Sequence, residues 1–149
     1  MKVRTLRTSQ TLPATLGVVF PFFADAGNLQ RITPPWLHFS ILTPLPIQMA
    51  VGTLIDYRIR IRGIPVRWRT RIAVWEPPHR FVDEQVRGPY TLWVHEHTFR
   101  EVEGGSEMVD LVRYASPGGG LIHRWLVRPE LERIFAYRKE VLAGMFRSG

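Results

Sequence analysis

The sequence contains no cysteine, which removes disulfides, thiolate metal ligands and a cysteine nucleophile from consideration. The same lack agrees with a reducing compartment. Lysine is almost missing as well. Of the 20 basic residues only Lys2 and Lys139 are lysines, so the formal net charge of +7 is an arginine charge. Such a surplus attracts anions, whether nucleic acid, acidic lipid or an anionic ligand, without choosing among them. No apolar run approaches the roughly 18 residues that a membrane-spanning helix needs. There is also no internal repeat, low-complexity segment or linker-like stretch.

What is present is a globular composition, 45% hydrophobic and 22% charged over 149 residues, which reads as one domain spanning 1–149. The start of the chain imitates a signal peptide. Lys2, Arg4 and Arg7 precede the apolar core LGVVFPFFA, which ends in the A-x-A pattern Ala24-Asp25-Ala26. Pro21 interrupts that core, and GVVFPFFAD reads equally as a short amphipathic helix. Without a stronger targeting signal the expected location is cytoplasmic.

Residues 2–10 read as a first strand, 14–25 as a helix after Pro13, and 28–33 as a second short helix stopped by Pro34-Pro35. Strand patterns follow at 37–42, 52–62, 65–75, 80–87, 90–101 and 107–115. The links between the later ones, Gly63-Ile64, Glu76-Pro77-Pro78, Gly88-Pro89 and Gly104-Gly105, suit an antiparallel meander. From Pro129 to Phe146 the apolar residues Leu131, Ile134, Phe135, Val141, Leu142 and Met145 follow helical spacing. Pro129 fits the first turn, and Glu130 and Glu132 suit its dipole. This order of elements is α+β.

Alternation orients the strands. Asp56, Arg58, Arg60 and Arg62 share one face of the third strand, and Arg67, Arg69 and Arg71 share one face of the fourth. A turn at Gly63-Ile64 would set Arg60 beside Arg67, Arg58 beside Arg69 and Asp56 beside Arg71, on a wet outer face. These arginines are not interleaved with exposed aromatics, and no nucleic-acid motif accompanies them, so nucleic acid is not an expected partner. Arg58, Arg60, Arg67 and Arg69 are instead a candidate surface for transient contact with an acidic membrane.

The segment WVHEHTF, residues 93–99, places Glu96 on the wet side and Trp93, His95, His97 and Phe99 inside. A loop at Glu103–Ser106 would bring Phe99 near Asp110, His97 near Val112 and His95 near Tyr114. A plain core rarely collects two histidines, a tyrosine and a carboxylate, because each needs a partner once buried. Strand 80–87 is open to two orientations: either Asp83 and Gln85 or Val82 and Val86 face inward.

At this point the chain resembles the SRPBCC superfamily, START-like and polyketide cyclase/dehydrase-like. The resemblance rests on FPFFADAGNLQRITPPWL, GTLIDYRIRIRGIPVRW, FVDEQVRGPYTLWVHEHTF and LERIFAYR, and covers essentially the whole length. It implies a helix-grip fold: a curved antiparallel sheet wrapped around a long C-terminal helix, with two small helices after the first strand. It also implies a mostly apolar cavity between sheet and helix, and a bacterial ligand-binding subgroup. Under it GVVFPFFAD is the first helix.

Four readings of the histidines remain. His95-x-His97 with Glu101 copies part of a cupin metal motif, but the glycine is one place off, the asparagine is missing, and His123 sits out of phase in the PGGGLIH loop; no metal or other cofactor is expected. A histidine paired with Tyr114 or Asp83 would suit acid/base chemistry of a polyketide cyclase or dehydratase type. A hydrogen-bonded network of His95, His97, Tyr114 and Asp110 would serve stability alone. The reading adopted is a pocket wall that orients a small, mainly hydrophobic ligand: lipid-, polyketide- or aromatic-like. Its candidate residues are Trp36, Tyr57, Trp68, Thr70, Asp83, Gln85, Trp93, His95, His97, Tyr114 and Phe135, with Met49 beside them. The expected assembly is a monomer or weak homodimer.

Overall fold

Alternation, turn chemistry and one long amphipathic helix dictate the architecture. The computed structural model describes residues 1–147. Strand β1 (Arg4–Leu12) leads into helix α1 (Leu16–Ala24) and two 3-10 turns, Ala26–Ile32 and Pro35–Leu37. The strands β2 (Ser40–Ile41), β3 (Leu54–Ile61), β4 (Ile64–Glu76), β5 (Arg80–Arg87), β6 (Leu92–Val102) and β7 (Gly105–Ala115) follow. They form a seven-stranded antiparallel sheet in the order β1-β7-β6-β5-β4-β3-β2. The expected strand at 37–42 is reduced to Ser40–Ile41, because Pro34 and Pro35 start a 3-10 turn there.

Two hairpins are tighter than the sequence suggested, and both slide the register by two residues. Between β3 and β4 the turn is Arg62-Gly63, with φ of 52° and 80°, so Ile61 faces Ile64. Two consecutive positive φ values make the narrow turn whose twist matches that of the flanking strands. Arg58 therefore lies opposite Arg67 and Asp56 opposite Arg69, not Arg58 beside Arg69 and Asp56 beside Arg71; Arg60 lies opposite Pro65 rather than Arg67. Between β6 and β7 the chain reverses at Glu103-Gly104, with Gly104 at φ 85°, instead of across Glu103–Ser106. His97 consequently faces Asp110, His95 faces Val112, Phe99 faces Met108 and Trp93 faces Tyr114. A slip of two leaves every side chain on its expected face and changes only its neighbours.

The orientation of β5 is decided by an irregularity in β4. Ile72 pairs with Asp83 and Val74 with Val82, which leaves Ala73 as an extra residue on β4. Phe81 and Asp83 then face His97 and His95 on β6, inside the sheet's curve.

The C-terminal helix begins earlier than its periodicity implied. Residues expected as a glycine loop form α2 (Gly119–Ile122) and a π-helical stretch (His123–Val127), which run directly into α3 (Arg128–Met145). The cause is Pro129. It lacks the N–H for the usual bond to the carbonyl of Trp125, and its ring crowds that carbonyl. The chain widens just before it, with Arg128 N–H bonding back to the His123 carbonyl, five residues earlier. On α3, Leu131, Phe135 and Leu142 are buried against the sheet.

The apolar interior has two parts. One gathers Leu16, Phe20, Phe81, Phe99, Met108 and Leu142 beneath α1. The other gathers Trp68, Trp93, Val112, Tyr114, Leu131 and Phe135 toward the opposite end of α3.

Candidate functional site

Between these two apolar clusters runs a polar belt, to which β5, β6, β7 and α3 each contribute. On β6 it is His95 and His97, between Trp93 and Phe99; on β7 it is Asp110, between Met108 and Val112. On β5 it is Asp83, next inward after Phe81, and on α3 it is Arg138, between Phe135 and Leu142. Each occupies an inward position that would otherwise carry an apolar side chain.

The rings stack. His97 lies 4.0 Å from Phe81, centroid to centroid at 13°, and 3.7 Å from His95 at 21°. His95 Nε2–H donates to Asp110 Oδ1 at 2.7 Å, and His97 Nε2–H donates to Asp83 Oδ2 at 2.6 Å. His97 Nδ1 lies 3.3 Å from Asp110 Oδ1, near enough to feel its charge but not aligned as a hydrogen bond. Arg138 Nη2 is also 3.3 Å from Asp110 Oδ1, and its guanidinium lies near the rings of Phe23 and Phe135.

The electrostatics follow from this arrangement. Burial alone would raise the carboxyl of Asp110, but Arg138 and the two histidines hold it well below the ordinary range. Burial opposes ionisation of Asp83 too and is the largest single influence, but the His97 hydrogen bond together with the charges of His97, His95 and Arg138 outweighs it, so that group is also lowered. Burial pulls His97 down, yet Asp110 and Asp83 together push it above the usual histidine value. His95 has only Asp110 as a bonded partner and lies against His97, so burial wins and its value falls. The balanced assignment is two carboxylates, one guanidinium, one imidazolium at His97 and a neutral His95. With Nε2 protonated toward Asp110, His95 keeps Nδ1 as an acceptor.

A cavity of about 410 Å³ opens beside this belt, lined by Leu37, Tyr57, Ile59, Trp68, Trp93, Leu131 and Phe135 among others. It adjoins an inner chamber of about 150 Å³ lined by Met49, Ile55, Thr70, Ile72, Asp83 and His97. Leu29, Tyr57, Trp68, Trp93, His95 and Arg138 border both. Three buried nitrogens here have no hydrogen-bond partner in the protein, Trp68 Nε1, Arg138 Nε and His97 Nδ1, the last lying beside the Asp110 charge.

Of the residues expected from the sequence, the fold thus brings Tyr57, Trp68, Thr70, Asp83, Trp93, His95, His97 and Phe135 to the cavity walls. Three go elsewhere. Trp36 lies on the surface, 5.7 Å from the Tyr137 ring and under Arg133. Gln85 clasps the β5–β6 link through both Tyr90 N–H and Tyr90 O, at 3.0 and 2.7 Å. Tyr114 does not meet the β6 histidines; its hydroxyl is 2.7 Å from His123 Nε2. Arg138 was missed, although the spacing of Leu131, Phe135, Arg138 and Leu142 places an arginine squarely on the buried stripe of α3.

The belt also contains residue types that bind metals. Asp83, His95 and His97 offer atoms within 4.8 Å of one another. Imidazoles stacked at 3.7 Å and 21°, however, send their in-plane lone pairs along nearly parallel lines. They do not converge on one ion at the ~2.0–2.1 Å that a metal–imidazole bond needs. Glu101, the third ligand of the sequence motif, is exposed, with Phe99 between it and His97 on β6. These residues do not fit the metal.

A family described as polyketide cyclase / dehydrase and lipid transport matches residues 12–140. The chain belongs to this family. No curated protein matches it. Among solved structures it is similar to protein CV1439 from Chromobacterium violaceum, at 14% identity over 97% of this chain and 99% of that one, with a TM-score of 0.76. The Zhui aromatase/cyclase from Streptomyces sp. R1128 is similar at 16% identity, covering 97% and 93%, with a TM-score of 0.75. Major latex-like protein 151 from Panax ginseng is similar at 10%, covering 98% and 99%, with a TM-score of 0.70. At such identities the structural likenesses establish the helix-grip fold. The family establishes ligand binding or cyclase-type chemistry in general terms.

Proposed function

We propose that this family member binds a small, mainly hydrophobic molecule in the cavity between sheet and α3, and that the bound molecule presents a hydrogen-bond acceptor to the belt. The observation that carries this reading is Trp68, which lines both chambers and whose buried Nε1–H has no protein partner. Leaving such a group unsatisfied costs about 1–3 kcal/mol, so an acceptor that reaches it recovers that energy. Arg138 Nε is a second donor of the same kind. A carbonyl, phenolic or carboxylate oxygen suits both. The aromatic wall of Tyr57, Trp68, Trp93 and Phe135 suits a flat or elongated apolar body, and a volume of about 410 Å³ lies within the size range of small-molecule sites.

The test is native mass spectrometry of the protein from its own host, followed by titration with naphthalene, 2-naphthol and 2-naphthoate. The acceptor-bearing probes should bind more tightly than naphthalene, and Trp68→Phe, which keeps the ring and removes the N–H, should narrow that gap. Equal affinities for all three probes, unchanged in Trp68→Phe, would reject the acceptor assignment.

One observation favours a second reading, turnover of cyclase or dehydratase type. His95 borders both chambers with Nδ1 as an acceptor and a lowered pKa, the properties of a general base facing substrate. His97 is the poorer candidate because both of its nitrogens are directed at carboxylates. On this reading turnover of a polyketide-like carbonyl compound rises with pH through the depressed His95 value and is lost in His95→Phe. A profile that ignores both would leave binding alone.

A further inference from the structure

The rim of the cavity is built from an apolar stretch that the fold leaves uncovered. Ile122, Leu126 and Pro117 border the opening, as do Pro89 and Arg62 from the two neighbouring sheet links. The same helical segment carries Leu121, 73% exposed, and Trp125, 66% exposed, and the turn beyond Arg62 carries Ile64, 66% exposed. A soluble surface rarely spends a tryptophan and two large aliphatic side chains in this way unless something covers them. None of these residues contributes to the polar belt.

The patch is ringed by positive charge. Arg124 lies against the Trp125 ring, its guanidinium carbon 5.4 Å from the centroid. Arg4 lies beside Gly120, and the charges acting on His123 are those of Arg4, Arg128 and Lys2. Arg128 is paired with Glu132, but among the described residues Lys2, Arg4, Arg62 and Arg124 form no salt bridge. An apolar wedge with a tryptophan, bordered by unpaired cations, complements an anionic bilayer, which offers negative headgroups above an apolar interior. A second copy of the chain would oppose positive charge with positive charge. The sheet arginines are less suited. Arg69 is held by Asp56 at 2.8 Å and Arg71 by Glu84, and although Arg58, Arg60 and Arg67 form no salt bridge among the described residues, the apolar wedge lies elsewhere, on the cavity rim.

We infer that the α2–π segment docks on an acidic membrane surface with the cavity mouth turned toward the lipid. Leu121, Trp125 and Ile64 enter the interface, and Arg124, Arg4, Lys2 and Arg62 meet the headgroups. In that pose an apolar molecule passes between bilayer and cavity without crossing water. Docking itself does not depend on the cavity being filled, so it is measured with ligand-free protein and stands or falls apart from the binding reading.

The experiment is co-sedimentation of the full chain with vesicles of phosphatidylcholine alone and of phosphatidylcholine mixed with phosphatidylglycerol. Binding is expected to the mixed vesicles, weakly to the neutral ones, and to fall as salt is raised. Trp125→Glu and Arg124→Glu, both at exposed positions, should each weaken it at least about tenfold. Arg67→Glu on the outer sheet face should leave it unchanged. Three outcomes overturn the inference: no binding to anionic vesicles at low salt, equal loss in Arg67→Glu and Trp125→Glu, or a Trp125-dependent dimer in place of vesicle binding.

Discussion

Asp110 is the residue on which the buried charges depend. It accepts from His95 and lies 3.3 Å from both His97 Nδ1 and Arg138 Nη2. Asp110→Asn keeps the shape but leaves Arg138 without its ion-pair partner among the described residues and His97 with Asp83 alone, so urea denaturation should show a loss of about 3–5 kcal/mol, the usual penalty for breaking a buried pair from one side. The two histidines should titrate apart. By imidazole NMR, His97 should lose its proton above the ordinary 6.5 and His95 below it; the reverse order would refute the charge assignment. The sign for stability follows. The contribution of His97 is fully present below 6.5 and is lost as pH rises through its raised folded value. That of Asp110 is present above 3.8 and is lost as pH falls through its depressed folded value. Because His97 hydrogen-bonds Asp83 and lies beside the Asp110 charge, His97→Ala is expected to destabilise the fold as well as alter the site.

At the scale of elements, tight turns hold the belt together. The reversal at Glu103-Gly104 is what sets His97 opposite Asp110; a loop two residues longer would have put Phe99 there. Just beyond that turn, β1 and β7 close against each other at Gly105, where an added Cβ would lie 1.9 Å from the Leu12 carbonyl oxygen. Gly105→Ala should therefore force the edge strand away and lower stability by about 1–3 kcal/mol in thermal or urea unfolding, as overpacking does elsewhere. An unchanged melt would refute this account of Gly105. The helix tells a similar story. The three glycines read as a loop and Pro129 as the first turn of the helix, yet the chain is already helical before Pro129, widening to a π turn, and this presents Ile122 and Leu126 to the cavity rim.

For the whole molecule, the cavity exists because sheet and α3 are held apart at one end while the other packs solidly beneath α1. A ligand that binds only the folded chain must stabilise it. At a free concentration of about 100 times its Kd the gain is about 2.7 kcal/mol, read as a rise in melting temperature. A molecule released from the native protein that gave no such shift would be a surface passenger. No helix among the described residues is long and apolar enough to cross a membrane.

The sequence by itself determined the class of architecture, the inward set on β6 and the apolar stripe of α3, because alternation and helical periodicity are local and survive small errors in loop length. It also singled out Trp68, Trp93 and His95 as wall residues, since each falls on an inward phase, and named Asp83 while leaving the orientation of its strand open. Only the tertiary structure decided which inward residues touch. Pairing depends on turn geometry and on the two irregularities of the β4–β5 ladder, at Ala73 and at Val86, and an error of two residues keeps the face but exchanges the neighbour. Trp36 and Gln85 illustrate the limit: both carry suitable chemistry, yet a proline turn and a link between strands take them away from the cavity. Arg138 illustrates the converse. Its charge looks misplaced on an apolar stripe until a carboxylate on β7, distant in sequence, is brought within 3.3 Å of it.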